Sequence, residues 1–183
     1  MSNEHAMKFE TCPSIVTRLD LKPGYKTIIL DRDGTINCDK GYVHNLIDFK
    51  FTDQFKIISP LLAAFRGNIC IITNQGGVSL GKFSQIQSMN FTNHVIAEMK
   101  KLGIKVCIAI ACYHHDLDYC LFRKPNPGMV QFVLNELATS SSRCIYLGND
   151  AKDRELAMRK QIRYVDVSNT DLERTLVSWM ELD

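Results

Sequence analysis

Residues 26–37 read Lys26-Thr27-Ile28-Ile29-Leu30-Asp31-Arg32-Asp33-Gly34-Thr35-Ile36-Asn37, an apolar run that breaks abruptly into two carboxylates and a glycine. An apolar, β-branched run bounded by turn residues predicts a buried strand over 26–30. Four more runs have the same character, over 68–72, 105–111, 143–147 and 163–167. Helical spacing fills the gaps. Residues 53–65 carry Phe55, Ile58, Leu62 and Phe65, and residues 84–102 carry Ile86, Met89, Ile96, Met99 and Leu102. Further helices are expected over 127–138, with Pro127 near the first turn, and over 150–160 and 170–180. Strands alternating with helices predict an α/β architecture, a doubly wound, mostly parallel sheet with helices on both faces. In such sheets a ligand sits at the carboxyl ends of the strands.

The composition agrees with one such domain: 183 residues, 45% hydrophobic and 23% charged, with ten Gly and five Pro. The first residues lack periodicity, so residues 1–22 are expected to be an N-terminal arm and 23–183 a single domain. No apolar stretch approaches the roughly 20 residues a bilayer span needs, and residues 1–10 are polar rather than signal-like. A cytoplasmic protein without membrane association is expected. A formal charge of +2 without Lys/Arg blocks lacks the basic footprint of nucleic-acid binders, so no nucleic-acid partner is expected. Seven cysteines, an odd number, argue against a secreted disulfide framework. Cys70, Cys107 and Cys144 lie inside apolar runs, where free thiols behave as small hydrophobes.

The polar residues gather where strands end. Asp31 to Asn37 follow the first, Thr73-Asn74-Gln75-Gly76-Gly77 the second, and Gly148-Asn149-Asp150-Ala151-Lys152-Asp153 the fourth, while Arg123-Lys124-Pro125 precedes the third helix. Four loops on one sheet edge can converge on one ligand. Asp31 and Asp33 repel each other unless a cation or a shared proton intervenes, and a hard divalent ion such as Mg²⁺ suits oxygen ligands. Gly34 permits the tight turn between them. An Asx-turn leaving a strand is the structural alternative for this motif taken alone. Thr73 and Asn74 offer a hydroxyl and an amide to an oxyanion, and Lys124 a compact positive charge. Singly, a turn cap and a solvated loop account for them; their joint order argues for a site.

With these four motifs in this order, the chain resembles the haloacid dehalogenase superfamily of phosphohydrolases. More narrowly, it resembles the D-glycero-D-manno-heptose-1,7-bisphosphate 7-phosphatases and the related histidinol-phosphate phosphatases. The likeness runs from Lys26 to Val167 and includes Gly41-Tyr42-Val43-His44, Gly81-Lys82-Phe83 and Arg123-Lys124-Pro125-x-Pro127-Gly128-Met129. The resemblance implies a capless, Rossmann-like fold and a Mg²⁺-dependent phosphomonoesterase acting on a small phosphorylated sugar in nucleotide-heptose synthesis, with a monomer expected. It makes Asp31 the nucleophile that forms an aspartyl-phosphate, and Asp33 the acid and base. Mg²⁺ would be held by Asp31 and the Asp33 carbonyl, with Lys124, Arg123 and Thr73 on the transferring oxygens. Asp39, Lys40, Gly41, Tyr42, Asn74, Gln75 and Gly76 would line the substrate pocket, with His44 shaping the substrate loop and His94 structural.

Two departures from the family pattern stand out. Asn149 occupies the place of a usual Mg²⁺-binding Asp, and Asp150 follows it, so either can serve. The relatives also carry a structural zinc loop; here Cys112, His114 and Cys120 match it, but Phe122 stands at the fourth ligand's position. An incomplete zinc site, or a remnant loop without metal, is expected. Histidinol phosphate is an alternative substrate, and a degenerate phosphosugar-binding protein without turnover is the alternative to an enzyme.

Overall fold

The computed structural model describes residues 12–181. Six strands form one sheet: β1 (Ser14–Arg18), β2 (Thr27–Leu30), β3 (Asn68–Asn74), β4 (Ile108–Cys112), β5 (Cys144–Gly148) and β6 (Arg163–Asp166). Their order across the sheet is β1-β4-β3-β2-β5-β6. Every neighbouring pair is parallel except β1 and β4, which run antiparallel. The helices are α1 (Asp53–Ala64), α2 (Gln85–Lys101), α3 (Gly128–Glu136), α4 (Ala151–Arg159) and α5 (Leu172–Glu181). These are the expected elements, with ends shifted by a few residues.

The N-terminal segment differs from expectation. Residues 14–18, assigned from sequence to an arm, form the edge strand β1, with Ser14 opposite Ala111 and Arg18 opposite Ile108. Residues 1–11 of that arm, His5 among them, lie outside the described residues.

Strand periodicity sorts the core into two layers. Ile28 and Leu30 face one side of the sheet and Ile29 the other; Ile69 and Ile71 are opposed in the same way to Cys70 and Ile72, and Ile145 and Leu147 to Cys144 and Tyr146. The first side packs against α1, α2 and α5 through Phe55, Leu62, Val95, Met99, Leu176 and Trp179. The second packs against α3 and α4 through Met129, Val133 and Leu156. Burial on both faces explains why the strands are continuous apolar runs rather than alternating ones. Among the described residues, only a short 3₁₀ turn (Leu46–Asp48) and α1 separate β2 from β3, and only α2 separates β3 from β4. No inserted subdomain there covers the carboxyl edge of the sheet. No described helix is long and apolar enough to cross a membrane.

Candidate active site

The carboxyl ends of β2, β3 and β5 border a cleft of about 370 Å³, lined by Asp31, Asp33, Thr73, Arg123, Lys124 and Asn149 among others. Asp31 follows β2 directly, its backbone N–H still bonded to the Leu147 carbonyl of β5. Its carboxylate accepts from Lys124 Nζ at 2.5 Å, and the same ammonium donates to Asp153 Oδ1 at 2.7 Å. Tyr146 donates its hydroxyl to that Asp153 oxygen at 2.8 Å. Lys124 is thus a buried cation between two buried carboxylates. Burial opposes its charge, but Asp31 and Asp153 outweigh that and hold its pKa above the usual lysine value. Asp31 is pushed up to about 7, first by burial and then by the neighbouring charges of Asp153 and Asp33, with Lys124 acting in the other direction.

Asp33 has the opposite environment. Burial works to raise its pKa, but Arg32, Asn37 and Gln75 overcome this and hold it low. Arg32 donates from Nε (3.0 Å) and Nη2 (2.8 Å), one to each carboxylate oxygen. Asn37 Nδ2 adds a bond to Oδ1 at 2.9 Å, and Gln75 Nε2 one to Oδ2 at 2.7 Å. Gly34, at φ +79°, lets the chain turn back, and its N–H donates to the Asn37 carbonyl. A Cβ at Gly34 would run into the side-chain amide of Asn149, so the first and fourth loops meet there. Thr35 Oγ1 donates to Asn149 Oδ1 at 3.3 Å. Asp150 instead caps α4, accepting from Lys152 N at 2.8 Å.

The second-loop residues divide their duties in a way the sequence does not reveal. Asn74 spends both ends of its amide on the Lys124 backbone, donating to its carbonyl and accepting from its N–H, each at 3.0 Å. Gln75 ties Asp33 to Thr73, reaching Thr73 Oγ1 at 2.9 Å. Asp39, Gly41, Tyr42 and Gly76 line the cleft as expected from sequence. Lys40 does not: its ammonium pairs with Asp48 at 3.0 Å, and it is absent from the lining. His44 stacks on Phe83 with ring centroids 4.8 Å apart and donates from Nδ1 to the Tyr42 carbonyl at 2.7 Å. His94 lies on α2, edge-on to Phe49.

Arg123 is aimed by two partners, Asp116 Oδ1 (2.7 Å from Nε) and the His114 carbonyl (2.7 Å from Nη1). Arg123 and then Lys152, which also bonds Asp116, pull the Asp116 pKa down to about 2 against its slight burial. Arg32, Asp116, Lys152 and Asp153 are site residues absent from the sequence-based set. Asp153 had a signal, since it closes the polar loop that begins at Gly148; in the folded chain a Cβ at Gly148 would strike its carboxylate. Arg32 had none, because an arginine between two aspartates reads as exposed.

Cys112, His114 and Cys120 also converge, and a fourth side chain that the sequence reading did not include joins the cluster. Cys12, just before β1, brings its sulfur to 3.6 Å from Cys112 Sγ and 3.4 Å from Cys120 Sγ. Phe122 instead packs its ring against the second core layer.

The family described as polynucleotide kinase 3 phosphatase matches residues 26–179. The chain is 33% identical to the D-glycero-beta-D-manno-heptose-1,7-bisphosphate 7-phosphatase of Pasteurella multocida, over 70% of this chain and 73% of that one. It is 30% identical to the D-glycero-alpha-D-manno-heptose-1,7-bisphosphate 7-phosphatase of Campylobacter jejuni, over 75% and 78%. Its fold is similar to that of D,D-heptose 1,7-bisphosphate phosphatase from B. bronchiseptica, crystallised with magnesium and phosphate, with a TM-score of 0.70 at 20% identity over 85% of this chain and 98% of that one. The chain belongs to the polynucleotide kinase 3 phosphatase family and so to the haloacid dehalogenase phosphatases, phosphoric monoester hydrolases of the same kind as the heptose bisphosphatases it resembles.

Proposed function

We propose that the chain removes the C7 phosphate of D-glycero-D-manno-heptose 1,7-bisphosphate, as a monomeric, Mg²⁺-dependent cytoplasmic enzyme of nucleotide-heptose synthesis. The observation that carries this reading is Lys124 bridging Asp31 and Asp153 at the floor of an open cleft, with Asp33 two residues from Asp31. Seven free cysteines suit a reducing compartment.

The donor set fits a hard divalent cation. Asp31 supplies a carboxylate, Asp33 a backbone carbonyl, and Asn149 an amide oxygen beside the Gly34 turn. Asp150 is engaged in capping α4, which favours Asn149 over Asp150 as the ligand. Bound there, Mg²⁺ would offset the repulsion between an anionic nucleophile and an anionic ester. An Asp31 oxygen attacks phosphorus, the bond from phosphorus to the sugar oxygen breaks, and Asp33 gives its proton to the departing oxygen. Asp33 then takes a proton from water, which attacks the aspartyl-phosphate and frees Asp31 and phosphate. Lys124, Thr73 and Arg123 hold the transferring oxygens as charge spreads over them. To act as the acid, Asp33 must take up a proton and loosen at least one of its four N–H donors. As a base it is already aimed.

The lining argues for a small substrate. Asp31, Asp33, Asp39, Asp116, Asp150 and Asp153 line the cleft with Arg123, Lys124 and Lys152, and Arg32 pairs with Asp33 from behind, an excess of carboxylates over cations that suits a metal-bound monoester rather than a polynucleotide backbone.

The test is phosphate release from a panel of sugar phosphates, sugar bisphosphates and histidinol phosphate with Mg²⁺, using Asp31→Asn as the blank. The heptose bisphosphate is expected to turn over best, and Asp31→Asn to lose at least about a thousandfold in kcat. Preference for histidinol phosphate would reassign the substrate. No Asp31-dependent release from any ester would make the chain a phosphosugar-binding protein.

A further inference from the structure

We propose that Cys12, Cys112, His114 and Cys120 form a closed tetrahedral Zn²⁺ site whose fourth ligand is supplied by the N-terminal segment, so that the metal fastens the edge strand β1 to the loop that carries Arg123. The ligand atoms of the four side chains all lie within 4.8 Å of one another. Four contacts define the cage: Cys12–Cys112 at 3.6 Å, Cys12–Cys120 at 3.4 Å, Cys112–Cys120 at 3.7 Å and Cys112 Sγ to His114 Nδ1 at 3.8 Å. A tetrahedron with Zn–S bonds of 2.3 Å has edges of about 3.8 Å, so these separations match a zinc cage. They are far beyond the ~2.05 Å of a disulfide, and all seven cysteines are free.

The topology explains why Cys12 arrives there. β1 is antiparallel to β4, with Ser14 opposite Ala111, so the residues just before Ser14 come alongside Cys112, where β4 ends. Cys112, His114 and Cys120 are buried and Cys12 half-buried, a closed arrangement without the open position a catalytic zinc requires. Backbone groups tie the cage to the cleft. The Cys112 carbonyl accepts from Gln75 N at 2.7 Å, the Cys120 carbonyl from Arg123 N at 3.1 Å and Asn126 Nδ2 at 2.9 Å, and the His114 carbonyl from Arg123 Nη1. Zinc at this point replaces the cross-link lost where Phe122 stands, and it recruits the terminal segment to do so.

The experiment is metal analysis and Co²⁺ substitution of the full chain, with Cys12→Ala and, as a control outside the cage, Cys38→Ala. The parent and Cys38→Ala proteins are expected to hold one zinc per chain and to give a tetrahedral Co²⁺ spectrum with strong thiolate charge transfer. Cys12→Ala is expected to bind at least about tenfold more weakly and to lose about one third of the charge-transfer intensity, as three thiolates become two. Faster hydrogen exchange at Ser14–Arg18 in Cys12→Ala, and in the chelator-treated parent, is expected as well. Equal affinity and an equal Co²⁺ spectrum in Cys12→Ala would remove Cys12 from the site. A parent chain that binds neither metal would overturn the proposal outright, whatever its phosphatase activity.

Discussion

Arg32 has no exposed surface, yet it carries a full charge. Its guanidinium is shared between both Asp33 oxygens and Thr92 Oγ1 (2.8 Å), and it lies 4.9 Å over the Phe91 ring. A buried cation of this kind is tolerated only because every part of it is engaged. Arg32→Met keeps most of the volume but leaves Asp33 with two N–H donors instead of four. The expected cost is about 3 kcal/mol, read from the urea midpoint at constant slope, with a kcat loss of tenfold or more because Asp33 loses its aim. The fourth loop gives a sharper contrast. Asn149→Asp adds a charge beside Gly34 and is expected to lower the Mg²⁺ concentration for half-maximal activity. Asp150→Ala is expected to leave that concentration unchanged while costing about 1 kcal/mol of stability, because its carboxylate caps α4. A raised Mg²⁺ requirement in Asp150→Ala would move the ligand role to Asp150.

The helices that carry clear caps are also those whose limits the sequence predicts best. Ser84 accepts from Gln87 N at 3.1 Å while Gln87 Oε1 accepts from Ser84 N at 2.8 Å, a reciprocal pair that starts α2. Ser84→Ala is expected to cost about 1 kcal/mol, measured by thermal unfolding, with Gln87→Ala smaller and the double variant less than additive. The parallel strands were equally legible, because burial on both faces makes Thr27–Leu30 and Ile108–Cys112 unbroken apolar runs. β1 was not. Ser14–Arg18 is short, half-buried and interrupted by a register shift between Ile15 and Thr17, so neither alternation nor a continuous apolar run marks it. Its pairing with β4 spans about half of the chain, and such long-range pairing leaves no local signal. The same distance hid Cys12 from a sequence reading that found the three other members of its cluster. Asn74 and Gln75 were found as cleft residues, but their partners, the Lys124 backbone and Asp33, are fixed by tertiary approach and could not be read from spacing.

For the protein taken entire, the charge distribution bears on the proposed preference for a small substrate. A formal charge of +2 over 183 residues gives no long-range field to steer a polyanion, and the cleft itself holds more carboxylates than cations. Lys40 is withdrawn to Asp48, and Lys56 and Lys101 are likewise paired with neighbouring carboxylates. Proteins that neutralise several DNA phosphates lose about three orders of magnitude or more in affinity as salt rises from 50 to 200 mM. If Lys124, Arg123 and a metal hold one phosphoryl group as proposed, this chain is expected to show less than about a threefold change in kcat/KM over that range of salt, because Lys124 is buried and poorly screened. Duplex DNA with a 3′-phosphate is expected neither to be hydrolysed nor to inhibit turnover of the sugar bisphosphate at micromolar concentration. Both measurements use the unaltered chain. Salt-sensitive inhibition by such a duplex would mean that the capless edge accepts a polynucleotide end, and that the acidic lining is compensated by charge delivered with the metal.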